Sequence, residues 1–120
     1  MIGWMEDINW ERVKTFADMD DPSDLDWLKE TVLDLRKNLE EKIQNIQKAL
    51  RDSDKESLSI ICHQIKGVSS NFGLDKLHDL SVKAEKILKS EQWQESFPFF
   101  SEFESVWLDA NNEIKRVLQI

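Results

Sequence analysis

His63, Lys66, Gly67 and Ser70 are the residues of this chain whose types and spacing can do chemistry. An α-helix turns about 100° per residue, so positions +3, +4 and +7 from His63 return to its face. On the same wheel Leu58, Ile61, Cys62, Ile65, Ser69 and Phe72 make one apolar stripe, and His63 lies about 150° from its centre. The imidazole is therefore predicted to stand outside the core, with an ammonium group one turn along and no side chain on the turn above it. An unperturbed histidine titrates near about 6.5, so much of it offers an uncharged ring nitrogen at neutral pH, and a neighbouring lysine biases it further that way. Gly67 costs about 1 kcal/mol relative to alanine in a helix interior. The return is steric, because a side chain at +4 would lie over the ring and block an in-line approach.

The run His63-Gln64-Ile65-Lys66-Gly67-Val68-Ser69-Ser70-Asn71-Phe72-Gly73 resembles the phosphoacceptor motif of histidine-containing phosphotransfer (HPt) domains. His63, Ile65, Lys66, Gly67, Ser69, Phe72 and Gly73 occupy matching places, and Val68 stands where a small Ser or Ala is commoner. Through helix order and length the resemblance extends over roughly residues 8 to 118. It implies a phosphoryl relay: a receiver domain's aspartyl phosphate donates to His63, and the phosphohistidine passes the group to another receiver's aspartate. In that role Lys66 stabilises the phosphoryl charge, Gly67 gives access, and Ser70 is placed to hydrogen-bond the phosphoryl group or the ring. The partners implied are receiver domains of response regulators, a hybrid histidine kinase, or both, with Mg²⁺ carried by the receiver and no cofactor on this chain. No nucleotide-binding glycine-rich loop is present, so a phosphoryl carrier without ATP-dependent kinase activity is expected. A free-standing relay is expected, although an excised domain of a hybrid kinase would look much the same.

Ile60, at −3 from His63 on the outward face, is apolar where the core does not need it. With Gln64 it is read as part of a partner-docking patch. The competing reading is a non-catalytic helical adaptor that binds receivers or a kinase without carrying phosphate. It makes His63 dispensable while Ile60 matters, and the intact His-x-x-Lys-Gly argues against it. A metal site is disfavoured, because His63 and His78 stand fifteen residues apart with no matching ligand set. His78 is read as an ordinary helix residue.

The elements that must position this site are helical. Trp10, Val13, Phe16 and Ala17 predict a short first helix within Asn9 to Met19. Asp21 is placed to cap a second helix with Pro22 in its first turn. Leu25, Leu28, Val32, Leu35, Leu39, Ile43, Ile46 and Leu50 then keep steps of three and four for about 40 Å. Ser53 to Glu56 reads as a capping box for a third helix ending near Phe72, with Gly73 suited to a left-handed cap. Asp75 is read as the cap of a fourth helix carrying Leu77, Leu80, Ala84, Ile87 and Leu88. A last helix is expected from near Pro98, bearing Phe100, Phe103, Trp107, Ala110, Ile114, Val117 and Leu118. The fold predicted is all-α, an antiparallel up-and-down four-helix bundle with an additional short N-terminal helix across one end. Residues 1–120 make one domain, with 1–8 an extension and the bundle over roughly 22–118. Trp27, Trp93 and Trp107 are assigned to core or bundle-end packing, and Trp4 to a terminal segment of undecided role.

Composition agrees. The 120 residues include three Gly, two Pro and no Tyr, and no alternating strand pattern interrupts them. A net charge of −8 with no basic stripe excludes a nucleic-acid surface. The single Cys62 suits a reducing compartment and falls on the apolar stripe, as a buried small hydrophobe. No signal peptide or membrane-length apolar stretch is read, so a cytoplasmic protein is expected, and a monomer, because one four-helix core can satisfy all the apolar stripes.

Overall fold

The computed structural model describes residues 7–120, all of whose regular elements are helical. In chain order these are α1 (Trp10–Val13), α2 (Pro22–Arg51), α3 (Lys55–Phe72), α4 (Asp75–Leu88), a 3₁₀ turn (Trp93–Ser96), α5 (Phe97–Ser101) and α6 (Phe103–Leu118). Trp4 and the rest of the proposed N-terminal extension up to Glu6 lie outside the described residues.

The longest helix, α2, starts where its sequence says it should. The Asp21 carboxylate accepts from the Ser23 amide at 2.9 Å, and Pro22 follows at a position whose missing N–H costs nothing. Its buried residues are Leu28, Val32, Leu35, Leu39, Ile43, Ile46 and Ala49, a single stripe. At about 1.5–3 kcal/mol for each fully buried aliphatic side chain, that stripe is a main source of cohesion. α2 packs on α3 and α6, and α4 packs on α3 and α6, so the four helices surround one core. Trp107 and Phe103 of α6 are its largest fully buried side chains.

Several boundaries differ from the sequence expectation, each for a local reason. The first helix is only Trp10–Val13, capped by Asn9, and the chain continues through turns in which Ala17 is buried. Ser53 does not cap α3, because its backbone is left-handed at φ 51°. Asp54 does so instead, accepting from the Ser57 amide at 3.1 Å and the Ser57 hydroxyl at 2.7 Å. Asp75 lies inside α4; the cap position is the buried Leu74, and the Asp75 carboxylate accepts from Asn9 Nδ2 at 3.1 Å. The last helix is broken at Glu102 into α5 and α6, with Pro98 in the first turn of the shorter piece. Trp27 is half exposed rather than packed in the core, its ring T-shaped against Phe16, and Val117 is also exposed. Trp93 is partly buried against the core, with Lys55 Nζ 5.9 Å from its ring centre.

Gly73 ends α3 as its residue type predicts. Its φ is +74°, and the amide of Asn9 donates to its carbonyl at 2.7 Å. A Cβ there would stand 2.6 Å from the Asn9 carbonyl oxygen. The N-terminal segment therefore crosses the end of α3 against a position where only glycine fits.

Candidate functional site

α3 presents the site and α4 backs it. Leu58, Ile61, Cys62, Ile65 and Ser69 of α3 are buried, which turns His63, Gln64, Gly67 and Ser70 outward. Small residues line the seam with α4. Cys62 Sγ reaches the Ser81 carbonyl at 3.2 Å, and the buried Ser69 and Ser81 satisfy their hydroxyls on Ile65 and Leu77 carbonyls of their own helices. Ala84 follows one turn later, fully buried. This close approach brings Glu85 of α4 up beside His63 and Lys66.

Glu85 is the residue the sequence reading missed. One carboxylate oxygen, Oε2, lies 3.2 Å from His63 Nδ1, and the other, Oε1, accepts from Lys66 Nζ at 2.7 Å. The side chain of His63 is 74% exposed, that of Lys66 29% and that of Glu85 15%. His63 is outward as predicted, but it is not without a partner. Lys66 is not a free ammonium on the outer face; it lies half-covered along the α3–α4 seam and is committed to a carboxylate. The Lys66 hydrogen bond above all, with that of His63 and the charge of Lys89 adding to it, holds the Glu85 carboxyl below the usual range against the opposing effect of burial. An ionised carboxylate can only accept, so the hydrogen-bonded ring carries a proton on Nδ1, and in the neutral ring the lone pair is then on Nε2.

One turn above, Gly67 is open: a Cβ placed there meets nothing within 4 Å. Helical side chains lean toward the N-terminus, so any side chain at 67 would lean back over His63. Ser70 is exposed two turns from His63, about 10 Å along the axis. His78 of α4 bonds through Nδ1 to the Lys66 carbonyl at 3.2 Å, steadying the turn that carries the lysine. Ile60 is half exposed and borders a cleft of about 320 Å³ between α2 and α3, with Asn45, Lys48, Asp52 and Ser57 on its walls. Gln64 lies beside it, exposed on the same helix.

Comparison with known families decides the affiliation. A family model described as Hpt domain matches residues 30–119, three quarters of the chain and the whole of the site. The chain belongs to the Hpt domain family. Hpt domains are histidine phosphotransfer modules of phosphorelays, and they interact with receiver domains and kinases of two-component systems. No curated protein and no solved structure matches this chain. Among the described residues of this Hpt domain, no helix is long and apolar enough to cross a membrane.

Proposed function

We propose that this Hpt domain carries a phosphoryl group on Nε2 of His63, accepting it from one receiver-domain aspartate and passing it to another. The observation that supports this most is the Glu85 contact at His63 Nδ1, which leaves Nε2 as the nucleophile on an exposed ring below the open Gly67. The Nε2 lone pair attacks phosphorus and the P–O bond of the aspartyl phosphate breaks, its electron pair leaving with the receiver's carboxylate. His63 keeps the Nδ1 proton, so the phosphorylated ring is positively charged and faces the negative Glu85. In the onward step the second receiver's carboxylate attacks phosphorus, and the P–N electron pair returns to Nε2. A protonated ring is the better leaving group, so the same carboxylate serves both directions.

Lys66 stabilises charge on the phosphoryl oxygens once it exchanges Glu85 for them. Gly67 keeps the in-line path clear. Ser70, on the same face but two turns away, meets the incoming partner sooner than the phosphoryl group. Ile60 and Gln64, beside the α2–α3 cleft, form part of the docking surface. Mg²⁺ belongs to the receiver. The reading includes the antiparallel up-and-down four-helix topology, which the α3–α4 pair supports: Cys62 meets Ser81 and, four residues on along α3, the Lys66 carbonyl meets His78, three residues back along α4. It also includes a single domain working as a cytoplasmic monomer.

The test is phosphoryl transfer from prephosphorylated receiver domains to the wild type and to His63→Gln. Acid-labile label on the wild type alone establishes the relay. Binding of receivers without label on either protein makes this chain an adaptor.

A further inference from the structure

The Glu85 oxygen that accepts from Lys66 has a second cation near it. Lys89 Nζ, one turn on along α4, lies 3.8 Å from the same Oε1, and its side chain is 76% exposed. Lys66 is in hydrogen-bond contact and Lys89 is about 1 Å short of it. A phosphoryl dianion on Nε2 changes what each lysine should do. Lys66, in hydrogen-bond contact with Glu85 Oε1, is drawn towards the phosphoryl oxygens by their larger negative charge. If it leaves, a largely covered carboxylate loses its closest cation just as a second negative group arrives beside it. Glu85 would then be driven to move or to take up a proton, and its hold on Nδ1 would be lost.

We propose that Lys89 is a positioning residue that takes over Glu85 Oε1 when phosphorylation of His63 draws Lys66 away. The inference rests on the phosphocarrier reading and adds a second lysine to it. Three features of the geometry support the exchange. The two ammonium groups share one oxygen. The move required of Lys89 is small. Lys89, which must close onto the oxygen, is exposed, so its own rearrangement disturbs no packing. Glu85 thereby stays ionised under Nδ1 in both states, and the positive charge that Lys66 carries to the phosphoryl group is replaced locally.

The experiment uses the full chain, ¹⁵N-labelled at lysine and phosphorylated by potassium phosphoramidate. Nε2 attacks the donor's phosphorus, the donor P–N bond breaks and ammonia departs, so no receiver is needed. Phosphohistidine on the wild type but not on His63→Gln secures the underlying reading; none on the wild type overturns that reading and this inference together. With phosphohistidine formed, the ¹⁵Nζ signals of both Lys66 and Lys89 are expected to shift, with slower proton exchange at Lys89. The Lys89 response should vanish in Glu85→Gln. Transfer from a phosphorylated receiver should slow about fivefold in Lys89→Met and return to within about twofold in Lys89→Arg. A Lys89 signal that stays in place while Lys66 moves overturns the exchange. So does transfer at the wild-type rate in Lys89→Met.

Discussion

Replacing Gly67 by alanine should make this protein more stable and less active. The magnitude of the first effect follows from the structure. Gly67 is in the interior of α3, and an added Cβ meets nothing within 4 Å, so no clash offsets the gain in helix propensity. That gain is about 1 kcal/mol, partly through the lost freedom of the unfolded chain. For a domain of this size it corresponds to about 4 °C in Tm. The second effect follows from direction. The methyl group leans toward the N-terminus, over His63, and narrows the path along which a receiver's phosphoryl group must come in line with Nε2. A fall in transfer of about tenfold is expected, equivalent to about 1.4 kcal/mol of barrier. Thermal melting followed by circular dichroism gives the first quantity, and receiver-to-protein transfer the second. A Tm that drops, or a transfer rate that holds while Tm rises, refutes the steric account of this glycine. Gly73→Ala is the control. There φ is +74° and the Cβ would lie 2.6 Å from the Asn9 carbonyl oxygen, so a loss of about 2 kcal/mol or more is expected.

Other outcomes can be checked with the same protein. The Cys62 thiol, pushed up to about 12 chiefly by burial and then by the charge of Glu85, should not react with a disulfide reagent at about pH 8 until the chain unfolds. Rapid stoichiometric labelling of the folded protein would contradict that burial. Because folding lowers the Glu85 pKa, its contribution to stability is present above the unfolded carboxylate value and is lost as pH falls through the folded one. Urea unfolding between about pH 6 and pH 3 should therefore show a shallower acid decline in Glu85→Gln than in the wild type. Asp21→Ala should cost about 1 kcal/mol by removing the cap of α2, read as a lower urea midpoint with transfer unchanged.

What was legible in the sequence divides along a physical line. Periodicity reports which face of a helix is buried, and it placed His63, Gly67, Ile60 and the α2 stripe correctly. It reports less well what happens between helices. Glu85 sits next to Ala84 at the edge of the α4 stripe, where a periodic reading sees only a solvated charge. One signal was available: Glu85 is the single acid between Leu80 and Ser90, set among Lys83, Lys86 and Lys89. That pattern says the carboxylate has company, but not that its company includes two residues of α3. The caps failed for a related reason. Ser53-x-x-Glu56 has the letters of a capping box, yet Asp54 offers a stronger acceptor one residue later and Ser53 is spent on the left-handed turn that lets α3 fold back on α2. For Trp27 helical spacing left core and bundle-end packing both open, and the residue is half exposed beside Phe16.

A site that must both take and give a phosphoryl group cannot hold it too well, since stabilising the phosphorylated ground state slows onward transfer. In the proposed function the Glu85 carboxylate meets that constraint. The chain carries −8 overall, so the attraction for an incoming anion has to be local. Lys66 and Lys89 supply it, yet both are tied to Glu85, and any phosphoryl group must compete with a carboxylate already in contact with Lys66 at 2.7 Å. The competition limits how far the lysines can deepen the phosphohistidine state. On the proposed reading the same carboxylate, through Nδ1, faces the protonated phosphohistidine ring, the better leaving group. A free lysine beside a free histidine would bind phosphate more tightly and release it more slowly. The α3–α4 seam, held close by Cys62, Ser69, Ser81 and Ala84, is what puts a single acid of α4 in reach of both His63 and Lys66 of α3, and on the proposed reading so sets the balance between capture and release.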